Sequence, residues 1–215
     1  MLISSTMRVR SDSFHDGDYL SAQYAFGKRS ADGKIDLSDN ENPHLSWSEL
    51  PEGTKSVAIV CVDGDVPTKP DDVNQEGRIV PADLPRTDFC HWLLVDLDPD
   101  AEVGEGEFSE GVTPKGKDGP QGPRGTRQGI NDYTGWFAGD PEMAGDYFGY
   151  DGPCPPFNDS IVHHYRFTVY ALDLARVPVE GTFTHDEVLR AIDGHVLGQA
   201  SLTVKSTINP DAKER

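Results

Sequence analysis

The sequence predicts a mainly β fold in one domain spanning 1–215, with a single late helix and long loops, and three observations carry that prediction. First, SVAIVCVD over 56–63 and CHWLLVDL over 90–97 are near-continuous apolar runs of buried-strand length. Second, IVHHYRFTVYALD over 161–173 adds another apolar strand behind a proline-rich turn. Third, helical spacing is sustained once, by Val188, Leu189, Ile192 and Val196 behind the capping-box pattern Thr184-His185-Asp186-Glu187. A chain of 215 residues is long enough to bury one real core.

Taken in order, Leu2 to Lys28 is polar with scattered apolar positions and reads as one or two edge strands about the turn Asp16-Gly17-Asp18. Arg29 to Asn42 reads as loop. After His44 to Trp47 and the turn Leu50-Pro51-Glu52-Gly53 comes the first central strand, where alternation puts Val57, Ile59, Cys61 and Asp63 on one face. A carboxylate emerging there beside apolar neighbours needs a partner. Pro67 to Arg86 reads as a long excursion, within an insertion near 67–88. In the next strand alternation gives His91, Leu93 and Val95 a common face. Residues 98–128 are rich in Gly and Pro, with glycine-led triplets at Gly116, Gly119, Gly122 and Gly125. So few triplets cannot make a collagen helix, and a mobile loop is expected. The late helix is expected to reach Gly198, and Ala200 to Ile208 to form a last strand.

Charge narrows the partners. Lys and Arg number 19 against 37 Asp and Glu, a net −18, and that field repels phosphate backbones and anionic lipid surfaces. No nucleic acid partner and no membrane insertion are expected, since the longest apolar run is Val57 to Val62. The N-terminus lacks a signal-peptide-like apolar run, and Cys61, Cys90 and Cys154 are an odd set without CxxC spacing. These features predict a soluble, cytoplasmic protein with reduced thiols.

Chemistry concentrates in Gly149 to Asp173, GYDGPCPPFNDSIVHHYRFTVYALD. His163 and Tyr165 share one strand face, and His164 and Arg166 the other. With Asp63 and His91 they supply a carboxylate, two imidazoles and a phenol at strand ends. Helped by backbone N–H groups, that set can hold a phosphate-sized oxyanion. A carboxylate beside a bound anion needs a proton between them, so pH-dependent binding is expected. Two competitors remain open: a metal site or acid–base hydrolase using Asp63, His91 and His163, although no HxH or HExxH spacing supports it, and a pure interaction protein with a vestigial pocket. Asp96, Asp98, Asp100 and Glu107 fall at EF-hand positions, but Ala101 replaces the obligatory glycine and a strand precedes the loop, so coincidence is the better reading. No GxSxG or SxxK occurs, Cys154 lies between prolines, and no cofactor is expected.

The segments LSWSELPEGTKSVAIVCVDGDVP, HWLLVDL, GINDY, the central stretch and HDEVLRAIDGHVLGQASLT, in that order, resemble the phosphatidylethanolamine-binding proteins, in particular their bacterial kinase-inhibitor-like branch. The resemblance implies an antiparallel β-sandwich with a small cavity that binds phosphate, acetate or a phosphoryl head group. It matches the family's DPDxP segment to Asp63-Gly64-Asp65-Val66-Pro67, its strand-start histidine to His91, its GPCPP turn to Gly152 to Pro156, and its HRY to His163-His164-Tyr165. The implied ligand-binding set is therefore Asp63, Asp65, His91, Gly152, Pro153, Pro155, His163 and Tyr165. Three departures stand out: His164 in place of arginine, Phe157-Asn158-Asp159-Ser160 in place of a glycine-rich link, and an insertion of about fifteen residues over 134–148. The insertion carries Trp136, Phe137, Tyr147 and Phe148, which would cover the pocket as a lid, form a partner surface, or tuck against the sheet. Family analogy further implies a small anionic ligand, a kinase or protease as protein partner, and a homodimer.

Overall fold

The computed structural model describes residues 6–215. Its centre is a five-stranded antiparallel sheet built from β5 (Ser56–Pro67), β6 (Arg86–Leu97), β7 (Arg127–Gln128), β8 (His163–Leu172) and β9 (Val196–Ser206), in the order β7-β6-β5-β8-β9. Two small ladders accompany it: β1 (Arg8–Arg10) pairs with β4 (Ser46–Ser48), and β2 (Gly27–Arg29) with β3 (Ile35–Leu37). The helices are α1 (Tyr133–Trp136) and α2 (His185–Ile192).

The long strands read as continuous apolar runs because both faces of the sheet are covered. On one face Val57, Ile59, Cys61, Trp92 and Phe167 pack under Met7, Phe14 and Leu45. On the other, Ala58, Val60, Leu93 and Val95 meet Val188 and Ile192 of α2 and the buried ring of Phe183. The sandwich implied by the resemblance is therefore lopsided, with one full sheet between a layer of short ladders and loops and a layer carrying the helix.

Several expected boundaries move. Arg29 to Asn42 is not all loop, because Ile35–Leu37 forms half of a hairpin. Of the expected N-terminal strands, Arg8–Arg10 is present, the turn closes with Asp18 N donating to His15 O at 3.0 Å, and residues 1–5 lie outside the described ones. β6 starts at Arg86 because its polar end pairs with Asp63, Val66 and Pro67 of β5, a contact no apolar pattern announces. The late helix stops at Ile192 rather than near Gly198. Gly194 at φ 80° turns the chain, and Val196 opens β9 four residues before the expected Ala200.

The 98–128 segment, expected as mobile loop, is tied down along its length. Arg127 pairs with Asp96 at 2.7 Å, Arg124 with Glu107 at 2.9 Å, and Lys117 with the buried Asp151 at 3.4 Å. Two of its glycines are packing sites: a Cβ on Gly119 would stand 2.3 Å from the Phe148 ring, and Gly116, at φ 99°, lies against the Asp146 carbonyl.

The alternation expected for β6 also fails at one point. Cys61 pairs with Trp92 and Val62 with Cys90, so His91 is an extra residue in a β-bulge. Cys90, Leu93 and Val95 face the helix layer, whereas His91 turns to the opposite side, towards Asp63 and Tyr165.

Candidate functional site

At the end of the sheet where β5 finishes and β8 begins lies a cavity of about 280 Å³. The pairing of Asp63 with Tyr165 across β5 and β8 sets its floor, His163 stands two residues before Tyr165 on the same face, and the bulge delivers His91. His164, as alternation predicted, faces away. It bonds Asp65 Oδ2 through both its backbone N–H and Nδ1, each at 2.9 Å.

The floor is a chain of buried charges. His163 donates from Nδ1 to Asp63 Oδ2 and from Nε2 to Asp159 Oδ2, each at 2.7 Å. Arg86 in turn grips Asp159 with two parallel bonds of 2.6 and 3.0 Å. Burial opposes the imidazolium, but the Asp63 carboxylate first and the Asp159 hydrogen bond next overcome it and raise the His163 pKa to about 9. For Asp159, burial pushes the pKa up, and hydrogen bonds from His163 and Arg86 outweigh it, so its carboxyl lies below the ordinary value. His163 is therefore a cation with both nitrogens committed.

His91 is the opposite case. Its Nδ1 donates to the Asp151 carbonyl at 2.8 Å, and burial lowers its pKa despite the nearby Asp63 carboxylate. With Nδ1 holding the proton of a neutral ring, Nε2 carries a lone pair, and no described protein group bonds it. Tyr165 is held protonated, its pKa pushed well up by burial and then by the Asp63 charge.

The walls are apolar. Phe26, Phe89, Tyr133, Phe137, Met143 and Leu37 line the space above the floor. From the turn at 152–156, Cys154, Pro155 and Pro156 reach the cavity, but Gly152 and Pro153 do not. The Gly152 N–H donates to Asn40 Oδ1 at 2.8 Å, and the Pro153 carbonyl accepts from Phe26 and Gly27, so the two tie the turn to the segment after β3 and to the start of β2. Asp65 also stands outside, on the far face with His164, its N–H bonded to Asp63 Oδ1 at 2.7 Å. The inserted segment divides in two. Trp136 and Phe137 face the cavity mouth, while Tyr147 is fully buried beneath them and Phe148 covers Gly119.

Among the site residues so assembled, Asp159, Arg86 and Tyr133 carried no sequence signal. Asp159 lies in a turn, where no periodicity assigns a face. Arg86 sits in the excursion between apolar strands, and Tyr133 precedes the insertion. The metal reading loses its histidine, because both His163 nitrogens are spent on carboxylates. Among the described residues no group of three or more His, Cys, Asp or Glu is placed to hold a metal ion. Asp96 and Glu107 of the EF-hand-like spacing are engaged by Arg127 and Arg124. No helix among the described residues is long and apolar enough to cross a membrane.

Comparison with known proteins gives the family and the fold. Residues 10–207 match the family model described as phosphatidylethanolamine-binding protein. The chain is 30% identical over 197 residues to the UPF0098 protein YbhB of Escherichia coli K12, covering 92% of this chain and 98% of that one. A UPF0098 protein of Methanothermobacter thermautotrophicus is 31% identical over 196 residues, covering 91% and 95%. The crystal structure of E. coli YbcL, described as a new member of the mammalian PEBP family, matches with a TM-score of 0.65 at 25% identity, covering 94% of this chain and 98% of that one.

Proposed function

The chain belongs to the phosphatidylethanolamine-binding protein family, and from that premise we propose that it is a non-catalytic binding protein whose cavity takes the phosphoryl or carboxylate group of a small ligand. The observation that carries this reading is the uncommitted Nε2 of His91 in the floor of a cavity whose other histidine is fully engaged. An anion arriving there meets the Asp63 carboxylate, so it must bring a proton, and His91 Nε2 is the acceptor placed to share it. The Tyr165 hydroxyl lies beside Asp63 at the same depth. Binding then takes up a proton wherever both the free ligand's acid group and the free His91 are deprotonated, and over that range affinity falls by up to about tenfold per pH unit as pH rises. By family analogy, the liganded protein modulates a kinase or protease and acts as a homodimer.

Titration calorimetry with inorganic phosphate and with acetate, in buffers of different ionisation enthalpy between pH 5 and 9, tests the reading. The expected result is proton uptake above the ligand's own pKa, with an affinity that declines with pH there and loses that dependence in His91→Gln. A flat profile sinks the proton-linked mechanism. Turnover of a phosphate or carboxylic ester that disappears in His91→Gln would replace binding with catalysis.

A further inference from the structure

The cavity is much larger than its polar floor requires. At about 280 Å³ it approaches the ~300 Å³ lower limit of pockets for organic ligands, whereas one water takes ~30 Å³ in the liquid. A bare phosphate on His91 would leave most of it to water held between apolar walls, an unfavourable filling.

The walls have a definite chemistry. The Phe26 and Tyr133 rings lie 4.6 Å apart at 19°, and Tyr133 and Phe137 lie 5.6 Å apart at 15°. Phe89 meets Tyr133 edge-on at 5.0 Å. His91 is itself part of this array, with its ring 5.5 Å from Tyr133 and 5.1 Å from Tyr165, both edge-on. A group bonded to His91 Nε2 therefore has rings as its nearest neighbours, within one or two bonds of the acid. At the mouth, Trp136 is 48% and Leu37 57% exposed, two large apolar side chains left in water where an organic body would cover them.

We infer that the cavity selects small aromatic acids, aryl phosphate monoesters or aryl carboxylates whose ring is joined to the acid group directly or through one atom. The inference rests on the anion-binding reading above and adds to it the occupant of the walls. The acid shares its proton with His91 Nε2, and the ring enters the cluster of Phe89, Tyr133 and Phe137. The 134–148 insertion supplies Trp136, Phe137 and Met143 to that wall, so this selectivity is a property of the insertion.

Titration calorimetry of the full chain at pH 6 with inorganic phosphate, methyl phosphate, phenyl phosphate and benzylammonium decides it. Burying a phenyl ring is expected to make phenyl phosphate bind about tenfold to a hundredfold tighter than inorganic phosphate, with methyl phosphate gaining no more than about threefold. Trp136→Ala, at an exposed position, and Phe137→Leu, which keeps apolar volume against Phe26 and Tyr147, should each cut the phenyl-to-phosphate ratio about threefold or more. Phosphate binding as tightly as phenyl phosphate, or a ratio unchanged in both variants, overturns the aromatic inference and leaves the anion site standing. Benzylammonium binding while neither phosphate compound does, or no binding by any of the four at millimolar concentration, overturns both.

Discussion

His91 and His163 meet in one cavity floor, at 3% and 1% exposure, and their pKa values move in opposite directions. Burial acts alike on both by disfavouring the imidazolium. The difference is in the partners. His91 donates to a backbone carbonyl, whose partial charge cannot offset desolvation, whereas His163 lies between two carboxylates that can. The fold thus builds one histidine into a structural cation and leaves the other neutral with a nitrogen free for a ligand. A titratable side chain deep in a protein takes its role from the charge of what it touches more than from its depth.

Removing the carboxylate that joins the two cations should produce the largest effect. Asp159→Ala takes from the buried Arg86 its carboxylate and from His163 one of its two, and urea denaturation is expected to show a destabilisation of about 3–5 kcal/mol. A loss under about 1 kcal/mol would mean that water already compensates them.

A pH profile of stability separates the histidines. His163 has a folded pKa raised to about 9 from an ordinary value of 6.5, so its stabilisation is fully present below pH 6.5 and is lost as pH rises through 9. The decline over that window should be on the order of 3 kcal/mol. His91 has a depressed pKa, so its neutral form favours folding above pH 6.5 and stability falls as pH drops below that value. A maximum near pH 6.5 is expected, and NMR titration of Asp63→Asn should show the His163 pKa falling while His91 remains neutral.

Smaller effects sharpen the contrast. His91→Gln loses one buried hydrogen bond and should cost about 1 kcal/mol, far less than the charge chain, while abolishing the pH dependence of phosphate affinity. His164→Ala removes the half-exposed pair with Asp65 on the opposite face and should cost ~0–1 kcal/mol in the same denaturation assay. A loss matching that of Asp159→Ala would show that the two faces are not electrostatically distinct.

Much of this was legible in the chain. The strands over 56–63, 90–97 and 163–172 announce themselves because both faces are buried, and the start of the late helix because its capping pattern is local. The common face of His163 and Tyr165 follows from the two-residue period of a strand. That period misplaced His91, because a β-bulge inserts one residue and reverses the facing of what precedes it, and it is fixed by strand pairing rather than by composition. The family resemblance located the GPCPP turn but gave Gly152, Pro153 and Asp65 to the pocket, whereas they serve the structure around it.

By itself the sequence determined the four long strands of the sheet but not β7, which face of β8 carries chemistry, and which family the chain resembles, because periodicity, apolar content and local caps act within a few residues. Only the tertiary structure decided the state of the site. Asp159 and Arg86 reach His163 through a turn and a strand end that no period describes, and Tyr133 and Phe137 close the wall from a segment more than twenty-five residues before His163. Protonation, ligand access and wall chemistry depend on distances across the fold, and those distances exist only once the sheet has brought the chain's remote parts together.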